Sequence, residues 1–295
     1  MGSEHPRPLR SVRMTQLAIA DVAAVPLVEI VPSSGFRALN GRELWTYREL
    51  LYFLVWRDIK VRYKQTALGA GWAILQPMLT MGVFAVFLGR LAKVPSDGLP
   101  YPLFAFAGLI PWTYFATAVT SGSASIVASQ QLISKVYFPR LLIPLASAVT
   151  PLVDAAIALA TLVPLLIWFH VAPGPAVVWV PAFAVLAVAT AFATALWLAT
   201  LTVEFRDVRY LVPFVVQFWM FATPVAYPAS LVPARWRLLY GLNPMTGVVE
   251  GFRWTLVGGP PPGPLAAVSA LVVAVLLAAG LGFFRRSEGT FADII

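Results

Sequence analysis

Long apolar stretches dominate the chain from residue 70 onward and are separated by short polar loops. A helix that crosses a bilayer needs about 20 apolar residues, because the hydrocarbon core is about 30 Å thick. Backbone polar groups must be satisfied internally in lipid, which favours helices. The pattern predicts six membrane-spanning helices, at 70–91, 102–123, 141–168, 177–203, 211–227 and 265–284. The fifth is the shortest and contains two prolines, Pro213 and Pro224.

A shorter periodic segment precedes the first span. Asn40, with Glu43 three residues later, forms a capping-box pattern. An apolar helical face then consists of Leu44, Tyr47, Leu51, Leu54 and Val55. The opposite face carries Glu49, Arg57, Lys60 and Lys64. The pattern predicts an amphipathic helix over 40–66 in the membrane interface. A cytosolic helix packed on the protein is the alternative.

The distribution of positive charge predicts the orientation in the membrane. Sixteen of the 21 Lys and Arg residues lie before the first span, in the loops after spans two and four, or after span six. Five lie on the other face. The positive-inside rule therefore predicts a multi-pass protein with both termini in the cytoplasm. The cations before span one can also attract anionic lipid headgroups.

Composition excludes several classes of function. Only 12% of residues are charged and 59% are hydrophobic, whereas soluble domains carry about 25% charged residues. The chain has no cysteine and two histidines, so thiolate sites and a histidine metal cluster are excluded. No phosphate-binding G-x-x-x-x-G-K-[S/T] loop is present. The net charge of +8 follows the membrane pattern rather than indicating nucleic acid.

The pattern divides the chain into four parts. These are a cytosolic arm at 1–39 without the features of a secretory signal, the amphipathic helix at 40–66, a six-span domain at 67–286 and a cytosolic tail at 287–295. The fold class is therefore an all-α integral membrane protein.

Two loops carry further short helices. After span two, residues 124–138 form an amphipathic pattern ended by Pro139, which suits docking on a partner or on the membrane. Before span six, Asn243 and Pro244 mark a helix start. Two short external helices that dip back or lie at the outer surface are expected in this region. Glu250 in the second of them is expected to be paired or exposed rather than catalytic.

Two stripes of aromatic and amide side chains are candidate contacts for a sugar. On span one the stripe consists of Gln76, Thr80, Phe84 and Phe87. On span five it consists of Tyr210, Phe214, Gln217 and Phe221. Aromatic rings suit the apolar faces of sugar rings, and amides suit the hydroxyls. Helix–helix packing uses the same rings and remains the alternative.

Asp154 is the one ionisable residue deep within a predicted span. Acids inside a membrane are functional candidates by default. A single acid hydrogen-bonded to Thr150 or Ser147 also fits a structural role. The alternating charges in E-F-R-D-V-R-Y at 204–210 suit a local salt-bridge cluster, or contact with a headgroup or partner.

Four stretches resemble the permease subunits of ABC-2 type polysaccharide exporters. They are W-R-D-I-K-V-R-Y-K-Q-T-A-L-G-A-G-W-A-I-L-Q-P at 56–77, F-R-D-V-R-Y-L-V-P-F at 205–214, P-V-A-Y-P-A-S-L-V-P-A-R-W-R-L-L-Y-G-L-N-P-M at 224–245 and V-V-E-G-F-R-W at 248–254. They occur in the same order as in the family, and the resemblance covers about residues 36–286.

The resemblance implies a transport subunit rather than an enzyme. It implies a homodimer that pairs with two ATPase subunits, which hold ATP and Mg²⁺, and exports an undecaprenyl-linked glycan such as O-antigen across the bacterial inner membrane. Spans one and five would line the channel, and the helices at 41–64 and 124–138 would contact the ATPase, with candidate contacts at Gln131, Lys135 and Tyr137.

The resemblance also implies roles for charged residues on both faces. Cations expected to attract the lipid diphosphate are Arg57, Lys60, Arg62, Lys64, Arg206 and Arg209. External helices at 229–257 would gate the outer mouth, with candidate residues Arg235, Trp236, Asn243, Glu250 and Arg253. Export of another lipid or a drug, and ATP-independent secondary transport, remain the competing functions.

Overall fold

A computed structural model describes residues 45–64 and 71–291, and this part of the chain is helical, without strands. We number its α-helices in chain order. They are α1 (Arg48–Lys64), α2 (Gly71–Phe84), α3 (Tyr101–Ala128), α4 (Gln130–Lys135), α5 (Leu142–Val149), α6 (Leu152–Trp168), α7 (Val180–Glu204), α8 (Val208–Ala222), α9 (Ala234–Tyr240), α10 (Pro244–Val257) and α11 (Pro264–Glu288).

Five helical segments of the described chain are long and apolar enough to cross a membrane. They are Gly71–Leu91, Tyr101–Lys135, Leu142–Trp168, Pro175–Glu204 and Pro264–Glu288. They correspond to predicted spans one, two, three, four and six. The all-α membrane architecture predicted from the sequence is thereby confirmed.

The predicted fifth span is a shorter helix than expected. Helix α8 has 15 residues and a length of roughly 23 Å at 1.5 Å per residue. It ends at Thr223, which is extended (φ −107°, ψ 143°), because a residue before a proline disfavours the helical conformation. Pro224 therefore ends the helix before the predicted boundary at 227. Pro213 lies inside α8 without ending it.

Helix α3 forms the centre of the fold. It packs against α2, α5, α6, α7, α8 and α10. Of its most apolar 18 residues, 78% are buried, compared with 6% in span one. Ring contacts join α3 to itself and to α8, through Trp112 with Phe115 and Phe115 with Trp219. Span two is thus the core of the protein, whereas span one lies at its surface.

Span three consists of two helices, α5 and α6, which meet at Thr150 and Pro151. Proline has no N–H to donate within a helix, so the break lies where the sequence places Pro151. Asp154 lies in the first turn of α6. The unpaired N–H groups of a helix start favour a negative charge at this position. The break therefore gives a carboxylate inside a span a favourable local field.

Helix α1 packs its predicted apolar face onto the protein. Leu54 is buried, and Tyr47, Leu51 and Val55 pack around it in a cluster that includes Ile133 of α4 and Phe284 of α11. The charged face is exposed, as predicted, and it also carries exposed aromatic rings, including Trp45, Tyr52, Phe53 and Trp56. The predicted capping residues Asn40 and Glu43, and Leu44, lie outside the described residues, as do 1–39.

Three helix boundaries differ from their predicted positions. All three lie at the ends that the charge pattern assigns to the cytoplasm. Helix α3 continues to Ala128, past the predicted end of span two at 123, because no proline or glycine interrupts 123–128. The predicted loop helix at 124–138 is reduced to α4, which ends at Lys135. Helix α11 continues to Glu288, into the predicted tail. Its end is held by Arg140, which donates to the backbone oxygen of Glu288.

Two helices precede span six, as expected. Helix α9 has no buried residue, whereas α10 is buried along nearly its whole length. The Asn243 side chain accepts from the Met245 N–H at 3.1 Å, which confirms the predicted cap. Helix α10 packs against α3, α7 and α11. It is therefore part of the core rather than a surface helix.

Candidate functional site

The stripe predicted on span five is exposed along its length. Tyr210, Phe214, Gln217 and Phe221 are all exposed on α8, while Val212 and Val216 on the other face are buried. The exposed Phe218 packs on Phe214 with ring centroids 4.5 Å apart. Helix α8 thus exposes a face of aromatic rings with one amide, and it packs against the rest of the chain through its opposite face.

The stripe predicted on span one is divided. Gln76 and Phe87 are exposed, whereas Thr80 and Phe84 are half-buried. Thr80 donates to the carbonyl oxygen of Gln76 at 3.0 Å, and Phe84 packs against the core around α3. Residue 87 lies in the π-helical turn Ala85–Leu91 that ends the span. Half of this stripe therefore serves packing within the chain.

Three of the predicted headgroup cations lie on the exposed side of α1. Arg57 pairs with Asp58 at 2.9 Å. The Lys60 ammonium lies 5.2 Å from the ring centroid of Trp56, and Lys64 is exposed. An exposed cation pairs only weakly with a neighbouring acid in water. These side chains are thus accessible to an anionic headgroup.

The other two exposed cations flank α8. Arg206 is exposed. The Arg209 guanidinium lies 4.6 Å from the ring centroid of Tyr210 and donates to its hydroxyl at 2.6 Å. Within the described residues, no salt bridge joins the four charges that were expected to cluster at 204–210. Positive charge therefore lies directly beside the first ring of the aromatic face.

Arg62 is placed differently from the other cations. Its guanidinium forms an ion pair with Asp154 of α6, and the Tyr63 hydroxyl donates to the second carboxylate oxygen. Burial, and then this hydrogen bond, raise the pKa of the Tyr63 hydroxyl, which stays protonated as a donor. Two consecutive residues of α1 thus hold the one acid of span three.

The prediction that Asp154 is hydrogen-bonded to Thr150 or Ser147 is wrong. Ser147 and Thr150 donate instead to carbonyl oxygens of their own helix, those of Ile143 and Ala146. Hydroxyls in helices commonly bond the carbonyl four residues earlier. The true partners lie 92 and 91 residues away along the chain, and no local pattern indicated them.

All three predicted ATPase contacts are exposed. Gln131, Lys135 and Tyr137 are exposed on α4 and just after it. Ile133, on the opposite side of α4, is buried in the same apolar cluster as Leu54 of α1. The two elements predicted to contact an ATPase therefore share one hydrophobic core.

The predicted gate residues fall into two groups. Arg235 and Trp236 are exposed on α9, whereas Glu250 and Arg253 are buried. Asn243 is half-buried, accepts from the Trp219 indole at 3.0 Å and donates to the Ala222 carbonyl at 3.1 Å. It thereby fastens the start of α10 to the end of α8.

Arg253 is 1% exposed and is held on all sides. It pairs with Glu250 at 2.9 Å. It also donates to the carbonyl oxygens of Phe104 and Val225, and its guanidinium lies 3.6 Å from the Phe104 ring centroid. Burial raises the pKa of Glu250, and the charge of Arg253 opposes this rise. This buried pair joins α10 to α3 and to the segment after α8.

Glu250 was predicted to be paired or exposed, and it is paired with Arg253. The spacing of the two residues is that of neighbours on a helix and could have identified Arg253 as the partner. The carbonyl partners of Arg253 had no signal in the sequence. In the described part of the chain, no group of His, Cys, Asp and Glu side chains could hold a metal ion.

Comparison with known proteins identifies the family. The model of the ABC-2 type transporter family matches residues 49–257. The chain is 34% identical over 260 residues to the O-antigen export system permease protein RfbA of Myxococcus xanthus, covering 86% of this chain and 98% of the relative. A protein of the same name from Klebsiella pneumoniae is 26% identical over 248 residues, covering 84% and 95%. The chain belongs to the ABC-2 type transporter family, as a multi-pass membrane permease.

Proposed function

We propose that this chain is the membrane subunit of an ATP-driven exporter that moves lipid-linked polysaccharide across the bacterial inner membrane. The relatives named as O-antigen export permeases, together with the exposed aromatic face of α8, support this proposal. This face is the structural observation that supports a glycan substrate. Aromatic rings exposed on an apolar helix beside a cation suit sugar rings better than lipid tails. This chain has no catalytic site in the proposed transporter.

The permease acts as a homodimer. In support, span one and α8 expose much of their surface, whereas span two is buried. A channel between two copies would place the residues Gln76, Phe87, Tyr210, Phe214, Gln217 and Phe221 along one passage. Contacts along such a passage must be many and weak, because a tightly bound glycan would not move.

ATP and Mg²⁺ belong to two separate ATPase subunits. The chain has no phosphate-binding loop of the Walker type. The exposed side of α4, with Lys135 and Tyr137, is the proposed docking surface. Because α4 and α1 share a buried cluster, movement of one would carry the other. The pair between Arg62 and Asp154 then transmits it to span three.

The lipid diphosphate approaches from the cytoplasmic leaflet. The excess of positive charge on one face supports a cytoplasmic position of both termini. Arg57, Lys60, Lys64 and Arg206 are exposed and attract the headgroup. Arg209 lies beside Tyr210 and would receive the diphosphate at the cytoplasmic end of the aromatic face.

Reconstitution tests the proposal. The chain and its candidate ATPase partner are purified together in lipid nanodiscs, and ATP hydrolysis is measured with and without an undecaprenyl diphosphate glycan. A stable complex of two permeases and two ATPases, stimulated by the glycan lipid, is expected. No complex would rule out the proposal, and an unstimulated complex would leave an exporter of another lipid or drug. Export without any ATPase would favour a secondary transporter.

A charge reversal provides the matched control for docking. Lys135→Glu on α4 is expected to weaken the complex because its side chain is exposed on the proposed docking surface. Arg235→Glu on α9, also exposed, is expected to leave the complex intact, because α9 lies on the other side of the membrane. Equal effects of both reversals would contradict this docking surface.

A further inference from the structure

Three cavities lie in a row beneath α1. The first, of about 290 Å³, is bordered by α1, span one, span two and α6. It shares Arg62 and Pro151 with the second, of about 340 Å³. The second shares Asp58, Ser121 and Ser147 with the third, of about 170 Å³. The crevice under the interfacial helix is therefore lined by polar side chains, although apolar residues dominate the surrounding helices.

The first cavity, which we call the Asp154 chamber, contains unused hydrogen-bonding groups. Gln76, Thr117 and Trp72 line it, and the amide, hydroxyl and indole N–H of these side chains have no hydrogen-bond partner among the described residues. Asp154 accepts one bond at each oxygen, and a carboxylate has about four acceptor sites. Donors and acceptors are thus both available to a guest.

The charge and size of the chamber restrict that guest. The positive charge of Arg62 is matched by Asp154, so the chamber offers no surplus positive charge to a diphosphate. Its volume of about 290 Å³ lies at the lower end for small-molecule sites. The chamber therefore fits one neutral ring and not an extended glycan.

The chamber also has an aromatic wall. Trp72 is 53% exposed at its rim, and Tyr63 and Tyr114 line it. The hydroxyls of both tyrosines already donate, to Asp154 and to the Ala148 carbonyl. Their rings are thereby fixed in place. The lining thus combines aromatic rings with a carboxylate, a guanidinium and an amide. The rings suit the C–H faces of a sugar, and the polar groups suit its hydroxyls.

We infer that the Asp154 chamber binds a single uncharged, hydroxyl-rich group, such as one sugar ring of the transported lipid. Trp72 packs on the ring, and Gln76 and Asp154 bond its hydroxyls. This inference rests on the proposed function for the source of the sugar. The glycerol headgroup of phosphatidylglycerol has the same chemistry, and the experiment separates the two sources.

A cysteine-free chain allows a direct test. Thr117→Cys places one thiol in the chamber, and Ser121→Cys places one a helical turn away, in the neighbouring cavities. Both variants are assembled with the ATPase in nanodiscs of phosphatidylethanolamine. The rate of reaction with a small methanethiosulfonate is followed by the intact mass of the permease.

Four conditions distinguish the two sources of the bound group. Labelling is measured with undecaprenyl diphosphate glycan, with undecaprenyl diphosphate without sugar, with phosphatidylglycerol and without any added lipid. We expect the glycan lipid, but not the sugar-free lipid, to slow labelling of the Thr117→Cys variant, while labelling of the Ser121→Cys variant stays unchanged. Protection by phosphatidylglycerol alone would assign the chamber to a membrane lipid and would overturn its role for the transported sugar.

Two outcomes separate this inference from the proposed function. If the glycan lipid stimulates ATP hydrolysis but leaves the thiol of Thr117→Cys unprotected, the chamber inference fails and the exporter remains. Equal protection of the thiols in both variants indicates closure of the whole crevice and also overturns the inference. If the glycan lipid neither stimulates nor protects, both proposals fail.

A second substitution tests the contacts themselves. In the Thr117→Cys background, Gln76→Leu is expected to raise the glycan-lipid concentration that gives half protection by roughly fivefold, the loss of about one hydrogen bond. Val83→Ala, at an exposed position of the same helix outside the chamber, should leave that concentration unchanged. An unchanged value in Gln76→Leu would overturn the assigned contact.

Discussion

Arg253 and Gly108 approach each other so closely that a side chain on Gly108 would displace the guanidinium. A Cβ at Gly108 would lie 2.7 Å from Nη2 of Arg253 and 3.1 Å from the Val225 carbonyl oxygen that accepts from it. The absence of a side chain at one residue of α3 thus makes room for the buried cation of α10.

We expect Gly108→Ala to lower the free energy of unfolding by about 1–3 kcal/mol, the usual range for overpacking. Thermal unfolding of the purified permease in detergent measures it. Gly82→Ala is the matched control, since nothing lies within 4 Å of a Cβ there and alanine favours a helix over glycine. A loss of the same size at Gly82 would show that the method does not report this contact.

Arg253→Met is expected to lower the free energy of unfolding by about 3–5 kcal/mol, because it leaves Glu250 buried without its partner. The double variant with Glu250→Leu should recover part of this loss. Recovery of the free energy of unfolding stays incomplete, because Arg253 also donates hydrogen bonds to the carbonyl oxygens of Phe104 and Val225. Arg235→Met, at an exposed position, should change stability by less than about 0.5 kcal/mol. Full recovery in the double variant would contradict the role of the carbonyls.

Arg62 and Asp154 are expected to be energetically coupled. A double-mutant cycle with Arg62→Met and Asp154→Asn should give a coupling free energy of about 0.5–1 kcal/mol, since the side chains are 33% and 28% exposed and partial solvation weakens the pair. The same cycle with Lys60→Met should be additive, because Lys60 contacts Trp56 instead. Additivity in both cycles would mean that the ion pair does not fasten α1 to span three.

Phe214→Ala and Phe221→Ala are expected to reduce glycan-stimulated ATP hydrolysis severalfold without lowering thermal stability. Both rings are 59% exposed in the single chain, so they add little to its folding, while the proposed function has both of them contact the passing glycan. Leu271→Ala on span six, 65% exposed, should leave hydrolysis unchanged. If all three variants behave alike, the aromatic face has no special role in transport.

Local features of this fold could be predicted from the sequence. Spans one to four and six follow from runs of apolar residues, and the start of α10 follows from Asn243 and Pro244, whose side chain and ring act within one turn. The buried face of α1 follows from its periodicity. Such features are determined by residues at most a few positions apart, so they can be predicted from a short stretch of sequence.

Boundaries were less predictable where two signals compete. Pro213 lies within α8, yet the extended Thr223 before Pro224 ends it. Pro151 divides span three, although hydropathy alone runs continuously through it. Whether a proline bends, divides or ends a helix depends on whether neighbouring helices satisfy the freed carbonyl groups.

The sequence alone determined that this is a helical membrane protein, where its helices lie and which residues are chemically unusual. Only the tertiary structure decided how those unusual residues are used. Asp154 is paired by residues 92 and 91 positions earlier, and Arg253 donates to a carbonyl 149 positions away. Helix rotation and packing bring these groups together, and neither is encoded in any local periodicity. Removal from water then favours the pairing, because an acid within a membrane span, such as Asp154, and a fully buried cation, such as Arg253, each need a partner.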